Sequence, residues 1–312
     1  MPKVIIGICT YQRPIMLGKC LDSIFAQKIP AGWQFEILIV DNDAGSTLME
    51  TLLPNIARSP MKIHYAIERQ RGIPYARNTA CRESLKYGAD WLLFLDDDEE
   101  AEPGWLEAYA NAQQAVAAEA YTGSVRFLMP TGSKEPIHLT LGDKEDLTSL
   151  KRAATNNVMF SAKLLLPPWS MKFDTGMAFT GGSDLDFFTR VTDRGGKILF
   201  VKDAVVSEVV LESRLQLGWR LRRQYRVSAN KVYMKFKRYG ILKTWISALR
   251  ELIMRFIEGA LLLMALPFLR LLSKEKFDEA LLRALISFAK ISGIVIGLIG
   301  YHPQPYKTID GY

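Results

Sequence analysis

Leu92-Leu93-Phe94-Leu95-Asp96-Asp97-Asp98-Glu99-Glu100 is an apolar run the length of a buried strand, and it ends in five consecutive acids. Like charges held that closely call for a cation, and ligands of open α/β sheets gather at the carboxyl ends of the strands. Hard carboxylate oxygens at such a place suit Mg2+ or Mn2+ carrying phosphate oxygens, so the stretch points to chemistry on a diphosphate. The plainer alternative is a solvated acidic turn ahead of a helix opening at Pro103 and Trp105, where acids complement the helix dipole.

Outward from this stretch, short β-branched runs alternate with helical patterns. Strands are expected at residues 4–9, 35–40, 63–67, 91–95 and 121–127, and helices at 15–26, 48–56, 74–87 and 104–118. That alternation is the signature of βαβ units wound on both faces of an open, mostly parallel sheet. Residues 130–154 turn polar and carry Pro130, Gly132, Pro136 and Gly142, which reads as a long loop or lid. Patterned sequence resumes at 157–161, continues through 173–194 and reaches a further strand at 197–201.

With 312 residues, 49% hydrophobic and 23% charged, the chain has material for a large core and no disordered composition. Its three cysteines, Cys9, Cys20 and Cys81, are too few and too scattered for a disulfide framework or a zinc site, and fit a reducing compartment. The start, Met1-Pro2-Lys3-Val4-Ile5-Ile6, runs straight into a strand without a signal-peptide pattern, so the catalytic part is expected in the cytoplasm.

Charge is concentrated late in the chain. Residues 211–255 hold twelve bases against two acids, and apolar stretches follow at 259–269, which contains Pro267, and at 284–301, interrupted only by Lys290. A basic block next to apolar helices favours an anionic membrane over nucleic acid. The first stretch is shorter than a spanning helix needs and the second is borderline, so the helices are expected to lie in or dip into one leaflet. The expected division is residues 1–214 as an α/β domain and 215–312 as a basic, amphipathic helical region attached to the membrane.

Three further clusters lie at predicted strand ends. The first strand runs into Cys9-Thr10-Tyr11-Gln12-Arg13-Pro14, where an aromatic ring can stack a base. The second ends in Val40-Asp41-Asn42-Asp43, where a carboxylate can accept the imide N–H of a uracil. After the third, Gln70-Arg71-Gly72-Ile73-Pro74 opens a helix carrying Arg77, and a helix N-terminus beside a guanidinium makes an anion site. Downstream, Gly181-Gly182 gives a permissive turn, and Ser183 with Asp186 is expected to form a capping box that sets Asp184 in a first helical turn.

These parts, in this order, resemble the GT-A-fold glycosyltransferases of family 2, and more closely those of bacterial exopolysaccharide assembly such as the succinoglycan-type glucosyltransferases. The likeness rests on Ile8-Cys9-Thr10-Tyr11-Gln12-Arg13-Pro14, Val40-Asp41-Asn42-Asp43, Ala76-Arg77-Asn78, Phe94-Leu95-Asp96-Asp97-Asp98-Glu99 and Gly181-Gly182-Ser183-Asp184-Leu185-Asp186-Phe187-Phe188. It implies a GT-A architecture, Rossmann-like, with a nucleoside-diphosphate sugar, UDP-linked, as donor and Mg2+ or Mn2+ as cofactor. By the same resemblance Thr10, Tyr11, Arg13, Asp41, Arg77, Asp96 and Asp97 line the donor site, Asp98 and Asp96 hold the metal, and Asp184 is the catalytic base of an inverting transfer.

The chain departs from the family pattern at Ser183, where Glu is usual, and at Ala204-Val205-Val206-Ser207-Glu208, which offers no His to the metal. His64, His138 and His302 lie off the motifs. Trp169 and the basic Arg222, Arg223 and Arg226 are candidates for the acceptor or its diphosphate, and the segment around them does not match the Gln-x-x-Arg-Trp element of processive members, so one sugar per encounter is expected. The expected acceptor is an undecaprenyl-diphosphate-linked saccharide at the cytoplasmic face of the bacterial inner membrane, with the protein peripheral or monotopic there. The alternatives are transfer to a polyprenyl monophosphate, and an inactive GT-A scaffold in a synthase complex.

Overall fold

The structure, a computed structural model, describes residues 1–130 and 138–304. Its elements run β1 (Lys3–Thr10), α1 (Pro14–Phe25), β2 (Gln34–Asp41), α2 (Leu48–Ala57), β3 (Lys62–Ile67), α3 (Ile73–Lys86), β4 (Trp91–Asp96), β5 (Glu99–Ala101), α4 (Trp105–Ala115) and β6 (Ala120–Leu128). They continue with β7 (His138–Leu139), β8 (Ser149–Leu150), β9 (Asn157–Ser161), α5 (Ser183–Asp193), β10 (Ile198–Val209), α6 (Glu212–Leu215), α7 (Leu217–Leu272) and α8 (Lys274–Leu298).

One sheet carries the order β3-β2-β1-β4-β9-β6-β10-β5, with β7 on β6 and β8 on β10. The first four strands are parallel, whereas β9 enters antiparallel between β4 and β6. Because β1 is flanked on both sides, its residues alternate between two cores. Val4, Ile6 and Ile8 pack with Leu17, Leu21 and Ile24 of α1 and with Trp105 of α4, while Ile5 packs with Ala76 and Ala80 of α3 and with Phe187 and Val191 of α5. Burial on both faces is why these strands read as nearly unbroken apolar runs.

Register fixes where the strands end. Thr10 pairs with Asp41 and Cys9 with Asp96, so β1, β2 and β4 deliver their last residues to one edge of the sheet. The segment 130–154, expected as loop, contributes the two short strands β7 and β8; residues 131–137 lie outside the described residues.

Asn157 locks the antiparallel insertion. Its Oδ1 accepts from Trp105 Nε1 (2.9 Å) and Tyr109 Oη (2.6 Å), and its Nδ2 donates to the carbonyls of Ser124 (2.9 Å) and Ala204 (2.8 Å). Gly123 makes room for this amide, since a Cβ there would collide with the Ala204 carbonyl. Asn157→Leu strands buried polar groups of α4, β6 and β10 together, and a buried group left unpaired costs about 1–3 kcal/mol. The expected loss is roughly 3–5 kcal/mol in a denaturant unfolding curve; a loss under about 1 kcal/mol would mean that water or repacking satisfies the site.

The chain divides into two compact units, Met1–Ala178 with Gly182–Val210, and Phe179–Gly181 with Leu211–Tyr312. In the second, α7 is a 56-residue helical run bent at Gly240, whose φ of 74° breaks it into arms 217–239 and 241–272. The arms fold back on each other, as the contact of Lys235 Nζ with Ser247 Oγ (2.9 Å) shows. α8 packs against both, and a Cβ at its Gly293 or Gly297 would press on the Tyr225 or Ala229 carbonyl, so this small-x-x-x-small pair is what lets the backbones approach.

The apolar stretch 259–269 is therefore not short. It lies inside one helical arm that runs on through Pro267, and both α7 and α8 are long and apolar enough to cross a membrane. Ile241, Leu242, Phe268, Leu271 and Leu272 of that arm are each more than 70% exposed.

Candidate donor and catalytic site

Thr10, Arg13, Asp41, Arg77, Asp96, Asp97 and Asp98 all sit at the sheet edge where β1, β2 and β4 end. The three aspartates take different directions. Asp97 turns inward and is 6% exposed, its carboxylate accepting from Thr10 Oγ1 (2.7 Å) and Arg13 Nη1 (3.2 Å). Arg13 Nη1 also reaches Asp98 (3.0 Å) and so joins the two carboxylates. Asp96 faces the opposite way, toward Arg77 Nη2 (3.9 Å).

Arg77 is central. Its Nη1 donates to Ser183 Oγ (3.4 Å), and its guanidinium lies over the Phe173 ring, which stacks on Phe187 of α5 at 4.4 Å. Asn78 fixes this arrangement through a pair of hydrogen bonds with the Phe173 backbone (2.9 and 2.8 Å). The Ala76-Arg77-Asn78 motif thus joins α3 to the start of α5, where Asp184 lies half-buried with Oδ1 accepting from the Leu185 N–H (2.8 Å).

Electrostatics binds the two acidic sites together. Desolvation at the end of β4 pushes Asp96 up to about 7; Arg77 opposes this, while the charges of Asp98, Asp97 and Asp184 add to it. Burial also raises Asp97, to about 6, against the pull of Arg13. Glu99, buried on β5, is pushed well above the usual carboxylate range by burial and by Asp96; its Oε1 accepts from Asn156 (2.9 Å), and among the described residues its Oε2 has no hydrogen-bond partner. A site with this much unrelieved negative charge is stabilised by a cation.

Among the described residues, no group of three or more His, Cys, Asp or Glu is arranged to hold a metal alone. Asp96 and Asp98 offer hard carboxylate oxygens of the kind that Mg2+ or Mn2+ take singly or in pairs, such ions completing their shell with substrate phosphates and water. Arg13 supplies part of the positive charge at Asp98 in this structure.

Asp41 is fully buried, with Oδ1 on the Asp43 N–H (3.0 Å) and Oδ2 on Tyr65 Oη (2.7 Å). A base contact at Asp41 therefore requires the Tyr65 side chain to give way. The Tyr11 ring is covered by the Arg71 guanidinium at 4.8 Å, making a cationic, aromatic wall beside it. Asn42 holds the loop leading to α3, donating to the carbonyls of Glu68 (3.0 Å) and Gln70 (2.8 Å) and accepting from the Gly72 N–H (2.8 Å). Asn42 and Arg71 lie in stretches quoted from the sequence without a role of their own, and Tyr65 lies in the strand expected at 63–67.

One expectation is corrected, the capping box. Ser183 and Asp186 do not form a capping box: Gly182, at φ 85°, is the N-cap, Ser183 is buried against Arg77, and Asp186 pairs with Arg190 (2.8 Å). Trp169 packs over Gly196 beyond the far end of α5, and its carbonyl accepts from Arg194 (2.6 Å). From Asp184 to the end of α5 at Asp193 is about 14 Å of helix, so Trp169 lies by the opposite end of α5 from Asp184. Arg222, Arg223 and Arg226 belong to the helical unit, Arg223 lying over Trp219 at 5.7 Å. His64 is buried on Glu36 (2.6 Å) and stacked on Tyr87, and His302 packs on Tyr233; both are away from the acidic edge in their contacts.

The sequence profile of Glycosyl transferase family 2 matches residues 5–166. Along 98% of its length this chain is 30% identical to the succinoglycan biosynthesis protein ExoM of Rhizobium meliloti (strain 1021), covering 94% of that protein. Among solved structures, it is similar to the mannosyltransferase PcManGT from Pyrobaculum calidifontis in complex with GDP-Man and Mn2+, with a TM-score of 0.60, 19% identity, and 95% and 87% of the two chains covered. It is also similar to S. aureus TarS 1-349 in complex with UDP-GlcNAc, with a TM-score of 0.54, 14% identity, and 96% and 90% covered.

Proposed function

Because this chain belongs to glycosyltransferase family 2 and has the GT-A fold, we propose that it moves one sugar, with inversion, from a UDP-linked donor to a lipid-linked saccharide in bacterial exopolysaccharide or surface-glycan assembly. The observation that carries this reading is the grouping of Asp96, Arg77 and Asp184, in which Arg77 reaches both Asp96 and the residue preceding Asp184.

Asp184 is the proton acceptor. As an acceptor hydroxyl attacks the anomeric carbon, the new C–O bond forms while the bond to the donor phosphate breaks, and the hydroxyl proton passes to the Asp184 carboxylate. Arg77 receives the departing diphosphate with a guanidinium that Phe173 and Ser183 hold in place. Asp98 and Asp96 would hold Mg2+ or Mn2+, which supplies charge stabilisation to the leaving group. Tyr11 with Arg71 offers a stacking wall for the base, and Thr10 and Arg13 act by holding Asp97 and Asp98 in place.

The helical unit is the membrane attachment. An arm with residues above 70% exposed at 241, 242, 268, 271 and 272, on a chain segment rich in Arg and Lys, matches the chemistry of an anionic bilayer at the cytoplasmic face. Its succinoglycan-biosynthesis relative supports a glycan acceptor, and confining enzyme and lipid-borne acceptor to one surface raises their effective concentration.

A thermal-shift series with nucleotide sugars tests the donor class. A ligand at 100 times its Kd stabilises the folded state by about 2.7 kcal/mol, so UDP-sugars with Mn2+ are expected to raise Tm by several degrees. UDP-sugars without metal should give less and GDP-sugars little. A response to GDP-sugars alone would overturn the UDP assignment, and no response to any donor would overturn the site.

A further inference from the structure

We propose that Asn230, on the first arm of α7, is a positioning residue for Asp184. This rests on Asp184 being the base. Residues Phe179–Gly181 pack with the helical unit, and within that unit the Asn230 Nδ2 donates to the carbonyl of Gly181 and reaches that of Thr180 (3.5 Å). The chain then passes through Gly182 and Ser183 to Asp184.

The turn being held is the loosest part of this segment. Gly181 (φ 78°) and Gly182 (φ 85°) are successive left-handed residues, and Gly182 caps α5 without a side-chain hydrogen bond among the described residues. Glycine has the greatest backbone freedom to lose, so the direction in which α5 starts depends on what grips the carbonyls ahead of it. Asp184 is the second residue of that helix, and a small rotation of the glycine turn swings its carboxylate directly. A displacement near 1 Å is enough to lower a rate by about a hundredfold.

The anchor itself is stiff. Asn230 is buried, and the neighbouring turn of α7 is clamped by α8, where Gly297 lies against the Ala229 carbonyl and Val232. The Asn230 Oδ1 is buried without a hydrogen-bond partner among the described residues. A half-satisfied amide is a poor choice for stability alone, which fits a residue kept for what its Nδ2 holds. One helix thus carries both the basic surface and the grip on the base.

The test uses the full chain in lipid vesicles, with Asn230→Ala, which removes the donor, and Asn230→Asp, which sets a carboxylate against the same carbonyls. Both are expected to lower kcat about tenfold to a hundredfold, Asp more than Ala, while donor KM and the stabilisation by UDP with Mn2+ stay within about twofold of the unsubstituted protein. Unchanged kcat in both variants would overturn the proposal. So would a loss of kcat accompanied by equal losses in donor affinity and Tm, which marks a merely structural role. Asp184→Asn measured alongside separates the two ideas: if it keeps turning over, the base assignment fails; if it is inactive while the Asn230 variants are not impaired, only the positioning role fails.

Discussion

Asp184→Asn should leave a folded protein that binds its donor normally and transfers sugar roughly a hundredfold to ten-thousandfold more slowly, the span that general-base catalysis contributes. The substitution is conservative where structure is concerned. The amide oxygen of Asn can still accept from the Leu185 N–H that Asp184 Oδ1 meets at 2.8 Å, and the α5 start is set by Gly182 and Ser183. What is lost is the negative charge and the place for the proton. Because the base acts on the acceptor, kcat should fall while donor KM stays, and a fall in KM-linked donor affinity instead would reassign Asp184 to the donor side. A second signature follows from the shared field: removing the Asp184 charge takes away one cause of the upward shift that puts Asp96 at about 7, so Asp96 should titrate lower in the variant.

Asp98→Asn is expected to have the other large effect, lowering kcat/KM by about a hundredfold or more, because the ion it would hold is worth several kcal/mol to the departing diphosphate. The loss should appear in the metal dependence: more Mn2+ needed for half-maximal rate, and less additional Tm gain when Mn2+ joins UDP. Asp98 pairs with Arg13, which also holds Asp97, so the unfolding curve must be compared too. A variant that keeps its Mn2+ response would place the ion on other residues, with Glu99, whose buried Oε2 has no hydrogen-bond partner among the described residues, the first to examine.

The parallel half of the sheet was legible because β1, β2 and β4 are buried on both faces, while β3, the partly exposed strand at the end of the sheet order, is a short strand-like run of its own before Glu68. β1, β2, β3 and β4 begin and end within a residue or so of the expected positions. β5 was not legible: Glu99-Glu100-Ala101 has no strand propensity, yet it pairs with β10 where Glu99 is buried and accepts from Asn156 and the Ala101 N–H donates to Ser23. The antiparallel entry of β9 was equally hidden. Its direction is dictated by Asn157, whose four hydrogen bonds go to elements far away in the chain.

For the site, the residue types were readable and their directions were not. Asp96, Asp97 and Asp98 look alike in sequence, yet Thr10 and Arg13 claim Asp97 while Arg77 faces Asp96. Ser183 and Asp186 have capping-box spacing, but the glycine before them, free to adopt φ 85°, takes the cap and leaves Ser183 for Arg77. In the helical unit, the uncharged stretch 259–269, short on its own, lies inside a longer helix, and the chain bends instead at Gly240, whose left-handed φ turns it back. Gly293 and Gly297 carried a packing signal that could have shown how α8 meets α7.

The most direct test of a single displacement with Asp184 on the face opposite the leaving diphosphate is the anomeric configuration of the first product formed, read by proton NMR on an acceptor glycolipid. Starting from an α-linked UDP-hexose of gluco configuration, the account requires a β-linked product, with the large coupling of a diaxial pair. An α-linked product, formed before any later anomerisation, would mean retention and would contradict the role given to Asp184.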